Sequence, residues 1–464
     1  MNGTPNGSAA NETLNVGAND TLNAAANDTL NAANDTLNVG ANDTLNAVAS
    51  GGGVAAAGPV QPADRLKLLD VLRGFALFGI LIVNWNDTSV TVYSWVEFLA
   101  EGSFYPMFSF LFGLGFALQL IRAEEAGRPF VVRYVWRSAL LLAIGFFHAG
   151  FIWGGDILRR YAYLAIALLV VRRWNPRVLV GVALAFLVFS MSPTSSYLQP
   201  GRFLLRADPE QAGLEFVQSQ TERLMQEARA AAIVERVPVL TRRYRNQIAS
   251  DVPYAIWSLS EPATASWWKR NGDVICMFLL GLWAGRRRLI REPELHTKFL
   301  VSVAVIGFIV GVLGNGIGSF GDTFEQIGIT MPAALSGWGL DYSLGNIGLT
   351  AFYLSALTLA FTRWRLAERM LAPIGWAGWM GLTNYLLQSV FFGIVFGPTI
   401  FGWRVSGWPQ LLVLAAFFVL QILWSRWWLA RFRFGPAEWA WRSLTWWRMQ
   451  PMRLVSQPAS GEAP

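Results

Sequence analysis

The chain has 464 residues, 53% hydrophobic, 14% aromatic and 14% charged, where soluble domains carry about 25% charged residues; this composition excludes a soluble globular protein. The net charge of +7 sits in alternate loops as Lys and Arg, the positive-inside pattern of a membrane protein rather than a nucleic-acid footprint. One cysteine, Cys276, excludes an internal disulfide and any cysteine-based metal site, and no metal ligand set is expected.

Residues 1–62 repeat NETL or NDTL from Asn11, Asn19, Asn27, Asn34 and Asn42. Each unit offers one leucine, too little apolar surface to offset ordering entropy, so a disordered tail is expected. No positive n-region or apolar h-region marks a signal peptide.

Residues 63–192 read as a first membrane half of five helices. The first, RLKLLDVLRGFALFGILIVNW, carries Asp70 and Arg73 three residues apart on one helix face, where they can pair. Asn84 returns to that face eleven residues after Arg73, about 16 Å deeper. The bland reading has Arg73 snorkelling to headgroups and Asn84 holding helices together. A second span runs from Ser103 to Ile121. The third, Val135 to Trp153, turns at Gly154-Gly155 directly into a fourth, Asp156 to Val171, and a fifth ends near Met191.

Residues 193–262 break the rhythm and read as an extracytoplasmic segment, amphipathic from Gln211 to Arg245. Residues 263–430 form a second membrane half, with spans expected over Val274–Ala284, Phe299–Gly318, Leu344–Phe361, Trp376–Phe396 and Pro409–Leu429. Residues 431–464 form a basic, aromatic tail suited to the headgroup layer. The fold class is therefore all-α: a polytopic transmembrane bundle of about ten helices with both termini inside.

Only His148 and His296 are available for histidine chemistry, and His296 sits in a basic loop. His148 ends the third helix and Asp156 follows the double-glycine turn, so an antiparallel pair can bring the carboxylate to one imidazole nitrogen. That would fix the tautomer and leave the other nitrogen as a general base. The structural alternative is a histidine bonding a backbone carbonyl, with Asp156 as a helix N-cap. Asp156, Arg159, Arg160 and Tyr161 form a polar knot; two arginines at the outer end run against the charge rule and point to a wet cavity or an anionic ligand. Asp273, with Lys269 and Arg270, is placed to line the same cavity. Asn384 and Gln388, four apart, share a face of the ninth helix, either as helix-bridging amides or as substrate contacts. Arg65, Lys67, Arg128 and Arg133 read as topology determinants or as holders of nucleotide phosphates. No Gly-rich phosphate loop, HExxH or nucleophile-elbow serine supports a soluble-type ATPase or hydrolase.

Three blocks, LLDVLRGFALFGILIVN (68–84), His148 with WGGDILRRYA (153–162), and GLTNYLLQS (381–389) with FRFGPAEWAWRSLT (432–445), resemble the YeiB-like bacterial inner-membrane proteins. The resemblance spans about residues 65–450 and implies a multi-pass protein of the bacterial inner membrane. The LRG start of the first helix is similar, more distantly, to integral-membrane acyltransferases such as heparan-alpha-glucosaminide N-acetyltransferase. In the sugar acylators of that class an arginine precedes a catalytic histidine by eleven residues. Asn84 replaces that histidine here, while Arg137 and His148 keep the same separation on the third helix. The resemblance implies transfer of an acyl group from a cytosolic thioester, with acyl-CoA as co-substrate and no resident cofactor. The acceptor would be an extracytoplasmic glycan or lipid, with His148, Asp156 and Asn84 as the reacting set. Arg73, Asp70, Arg137, Arg159, Arg160, Tyr161, Asp273, Asn384 and Gln388 would be substrate contacts. Membrane lipids are the other expected partners, and the sequence sets no oligomeric state. The alternative class is a transporter or lipid- or solute-binding protein using the same polar groups; no convincing repeat relates the two halves, which disfavours a repeat-built transporter. A third class is a structural or assembly partner with no ligand.

Overall fold

A computed structural model describes residues 66–85, 90–191, 265–326, 342–395 and 405–454. The repeat tail 1–62 and the segment 193–262 lie outside the described residues. Every regular element among the described residues is helical, apart from one isolated bridge between Phe432 and Arg453.

In chain order the helices are α1 (Lys67–Trp85), α2 (Val90–Leu99), α3 (Phe104–Glu125), α4 (Val131–Phe151), α5 (Leu158–Val171), α6 (Pro176–Met191) and α7 (Ala265–Arg286). A 3-10 turn (Pro293–His296) leads into α8 (Thr297–Gln326), followed by α9 (Tyr342–Arg363), α10 (Arg365–Trp379), α11 (Gly381–Val395), α12 (Trp408–Leu429) and α13 (Pro436–Trp446). Six stretches among the described residues are long and apolar enough to cross a membrane: Lys67–Trp85, Ser94–Glu125, Val131–Phe151, Pro293–Ile317, Leu344–Arg363 and Trp408–Leu429. Outward-facing Val188, Ile306 and Leu412 are each more than half exposed, a surface suited to hydrocarbon.

Helices in lipid gain little from the hydrophobic effect and associate through close packing and polar bridges. Gly113 on α3 lies against the Phe278 carbonyl of α7, and Gly281 on α7 against the Phe110 carbonyl of α3, so a Cβ at either would collide with backbone. Gly74 and Gly378 seat α1 on α10 in the same way. Polar side chains then secure the turn between α2 and α3. Asn315 donates to the Phe98 carbonyl (3.0 Å), Tyr353 to Leu99 (2.7 Å) and Thr350 to Ser103 (2.7 Å). The carboxyl end of α1 is held likewise, Gln410 of α12 donating to the Trp85 carbonyl at 2.6 Å.

The structure differs from the expected span list in two places. A separate helix, α2, precedes the second span. The expected ninth span, Trp376–Phe396, is divided at Met380: α10 starts earlier, contains Pro373 and stops, and α11 begins at Gly381. The break frees the first N–H groups of α11, which need acceptors. Glu438 of α13 supplies them, accepting from the Leu382 and Thr383 amides (2.6 and 3.1 Å) and bonding the Thr383 hydroxyl. A carboxylate from α13 thus caps the amino end of α11.

Candidate functional site

The site begins where α4 gives way to α5. The Ile152 and Trp153 amides both donate to the His148 carbonyl, closing α4, and Gly154-Gly155 reverse the chain. Asp156 then faces back across the turn. Its Oδ1 lies 2.9 Å from His148 Nδ1, and its Oδ2 accepts the Arg159 amide at 2.9 Å, as an N-cap would. The Arg159 guanidinium stands 3.5 Å from the same Oδ2. Both the His148 and the Asp156 side chains are fully buried. A carboxylate can only accept, so Nδ1 is the donor in this contact, and in a neutral imidazole the lone pair then falls on Nε2. That Nε2 is buried and has no hydrogen-bond partner among the described residues. The Tyr385 ring of α11 lies 5.1 Å from the imidazole and the Trp153 ring 6.4 Å, and together they enclose it.

Beside this pair is a cavity of about 180 Å³. Its polar lining is Asn84 from α1, Tyr105 from α3, Asp156, Arg160 from α5 and Tyr385; Ile80, Val83 and Phe104 supply apolar wall. Three residues singled out in the sequence, Asn84, Asp156 and Arg160, therefore meet at one cavity although they come from two separate blocks. The two arginines of the polar knot part company. Arg159 is buried beside Asp156, whereas Arg160 lines the cavity. Tyr161 points into the protein: its hydroxyl donates to the Tyr105 carbonyl (2.8 Å) and lies 2.8 Å from the Ser109 hydroxyl. Asp273 accepts from the Tyr105 hydroxyl and stands behind the cavity wall rather than in it.

The remaining candidates lie elsewhere. Arg73 faces Asp70 at 3.5 Å, near the start of α1 and well away from Asn84. Arg137, also at that end, has its guanidinium 3.8 Å over the Trp441 ring of α13. Asn384 and Gln388 join a buried amide network: Asn384 donates to Ser425 and to the Ala377 carbonyl, Gln388 to Gln421, and Gln421 back to the Asn384 carbonyl. This is the helix-bridging arrangement, with donors and acceptors matched.

Two lining residues escaped the sequence reading. Tyr105 follows Phe104 at the start of α3, and Tyr385 sits directly after Asn384 in the block GLTNYLLQS. Tyrosine at a span end was the available signal, but tyrosines are common at interfaces and neither stood out.

Residues 284–448 match the family model described as Protein of unknown function (DUF418), a segment that runs from the end of α7 through α13. His148 and Asp156 lie before it. Over most of its length the chain is similar to the uncharacterized protein YxaH of Bacillus subtilis, at 28% identity over 85% of this chain and 97% of the relative. It is also similar to an uncharacterized 39.9 kDa protein of Bacillus acidopullulyticus (26%, over 86% and 99%) and to the uncharacterized protein YeiB of Escherichia coli (25%, over 82% and 96%). The chain is thus similar over most of its length to YeiB and YxaH, and its residues 284–448 match the DUF418 model.

Proposed function

We propose that the protein is a transmembrane acyltransferase of the bacterial inner membrane in which His148, oriented by Asp156, acts as general base. The observation that carries this reading is the imidazole itself: one nitrogen is bonded to a buried carboxylate, Asp156, that lines the cavity, and the other is buried and unpartnered among the described residues. A purely structural histidine gains by using both nitrogens, since a buried polar atom without a partner costs about 1–3 kcal/mol.

The chemistry is as follows. A hydroxyl or amine of an extracytoplasmic glycan or lipid attacks the carbonyl carbon of a cytosolic acyl thioester such as acyl-CoA, and His148 Nε2 takes the acceptor's proton. The tetrahedral oxyanion forms in the cavity, where the Asn84 amide and the Arg160 guanidinium supply donors. Collapse breaks the carbon–sulfur bond, and the departing thiolate recovers the proton from the imidazolium. Because the imidazole is enclosed, the Tyr385 ring has to move aside for an acceptor to reach it. The reading takes the Arg73 end of the bundle as cytosolic and the cavity end as outside, which the bias of Lys and Arg toward alternate loops supports.

Untargeted lipid and glycan analysis of a deletion strain tests the reading. An acyl-modified species should vanish, return with the wild-type chain, and stay absent when His148→Ala is supplied at equal abundance. A profile unchanged by the deletion, or fully restored by His148→Ala, would overturn it.

A further inference from the structure

The hydrogen bonds around the cavity leave its donors and acceptors unequally used. Asp156 lines it, but its Oδ1 faces His148 Nδ1 and its Oδ2 accepts the Arg159 amide, each at 2.9 Å. Asp273, behind the wall, is engaged in the same way. One of its oxygens accepts the Tyr105 hydroxyl, and the other accepts the Val274 amide at 2.7 Å. Glu101 stands between the lining residues Ala100 and Gly102 without lining the cavity itself.

What the cavity still offers is mainly donors. The Tyr385 hydroxyl oxygen receives the Ile157 amide at 3.4 Å, which leaves its own proton to give. The Asn84 amide adds an NH₂ group, and Arg160 adds several N–H groups on a permanent positive charge. Its neighbour Arg159 stands 3.5 Å from Asp156, whereas no carboxylate among the described residues comes within ion-pair distance of Arg160. A cation drawn into a protein cavity is stabilised when an anion answers it, and the planar guanidinium matches carboxylate and phosphate oxygens edge to edge. The volume, about 180 Å³, suits such a group. A cavity of about 150 Å³ admits a benzene ring, so there is room for an oxyanion and a few of the atoms that carry it.

We propose that this cavity binds the oxyanion group of its ligand, a carboxylate or a phosphate, through Arg160, Tyr385 and Asn84. Binding rests on the cavity alone; casting the ligand as an acyl acceptor rests on the acyl-transfer reading. Under that reading the acceptor is an acidic glycan or an anionic lipid headgroup rather than a neutral sugar or alcohol. The guanidinium has N–H groups enough to hold the acceptor's charge along one edge and to face the developing oxyanion with another.

The test uses the full chain purified in phosphate-free detergent at fixed ionic strength. Binding of radiolabelled glucuronate and of radiolabelled inorganic phosphate is measured by equilibrium dialysis, with glucose as the uncharged control. Retention of phosphatidylglycerol is measured by native mass spectrometry from mixed phosphatidylcholine–phosphatidylglycerol nanodiscs. At least one anionic probe should bind, and Arg160→Gln should weaken it about tenfold or more, as expected for losing a charge-assisted pair, with Arg160→Lys retaining part of the affinity. Arg426→Gln, which removes an arginine stacked 4.9 Å over Trp376 and not lining the cavity, should leave binding unchanged. If Arg160→Gln fails to fold, Tyr385→Phe decides: it keeps the ring, removes the hydroxyl and should cost about threefold. Binding of a soluble probe assigns a free or glycan-borne anion, and lipid retention alone assigns a headgroup. The inference falls if the wild type binds no anionic probe, if glucose binds as well as glucuronate, or if the deciding variant binds as the wild type does. Because no acyl donor is present, a chain that binds an anion yet modifies nothing keeps this inference and loses the catalytic one. An acylated product without negative charge does the reverse.

Discussion

Among the described residues His148 is held by a hydrogen bond on one side only, and the two readings of that asymmetry predict different things. If Asp156 fixes the tautomer for a general base, Asp156→Asn should lower activity by about 10²–10⁴-fold, as His148→Ala does, with thermal stability in detergent nearly unchanged. The double variant should be little worse than the worse single, because the two act as a unit. A structural histidine predicts instead that activity falls only in proportion to folded protein. The pairing was legible beforehand because eight residues with a Gly-Gly turn leave two antiparallel helix ends little choice of neighbour. The Asp70–Arg73 pair was legible for a simpler reason, three-residue helical spacing. Tyr385 was not legible. Its ring reaches the imidazole from a helix more than two hundred residues away in sequence, and nothing local to GLTNYLLQS encodes that meeting.

Among elements, the break between α10 and α11 separates what hydropathy reads from what the backbone does. The stretch from Trp376 to Val395 is apolar enough to pass as one span, so composition conceals the interruption at Met380. The acceptors that allow it come from Glu438, and no window around Met380 contains that residue. Losing a side-chain cap typically costs about 0.5–2 kcal/mol. Glu438→Ala should cost at least that, because it strands two amides and the Thr383 hydroxyl together, while Glu438→Gln should cost less by keeping one acceptor oxygen. Thermal unfolding in detergent, read by intrinsic fluorescence, measures both. The glycine contacts set a second expectation. Gly378 approaches the Asp70 carbonyl so closely that Gly378→Leu should drive α10 off α1 and destabilise the protein more than either Glu438 variant.

For the whole molecule, composition alone carried the class, since an all-helical membrane protein follows from charge content and the recurrence of apolar runs. The number of crossings did not follow with the same force, because α5 and α6 are short. Fourteen residues of α5 rise about 21 Å, less than the roughly 30 Å of hydrocarbon, so length does not decide their relation to the bilayer. Topology is accessible to reporters. Fusions at Ser50 and Ser456 should both read cytoplasmic and one at Gln211 extracytoplasmic; an outside reading at Ser456 would overturn the expectation of an even number of crossings. Removing residues 1–60 should leave insertion and melting temperature unchanged, because one leucine per repeat gives that segment little with which to dock.

The trans cap on α11 also sets a schedule. The Thr383 amide leaves the ribosome 55 residues before Glu438 exists to receive its hydrogen bond. At about 5–20 residues per second, the interrupted helix waits on the order of several seconds in the membrane with its amino end unanswered. Helix α13, the last of the described helices, can therefore act as a latch that closes only after α11 has been made. A chain stopped before Pro436 should insert with unchanged topology yet be cleared by membrane proteases faster than the full chain. Supplying the missing helix as a separate peptide should slow that clearance.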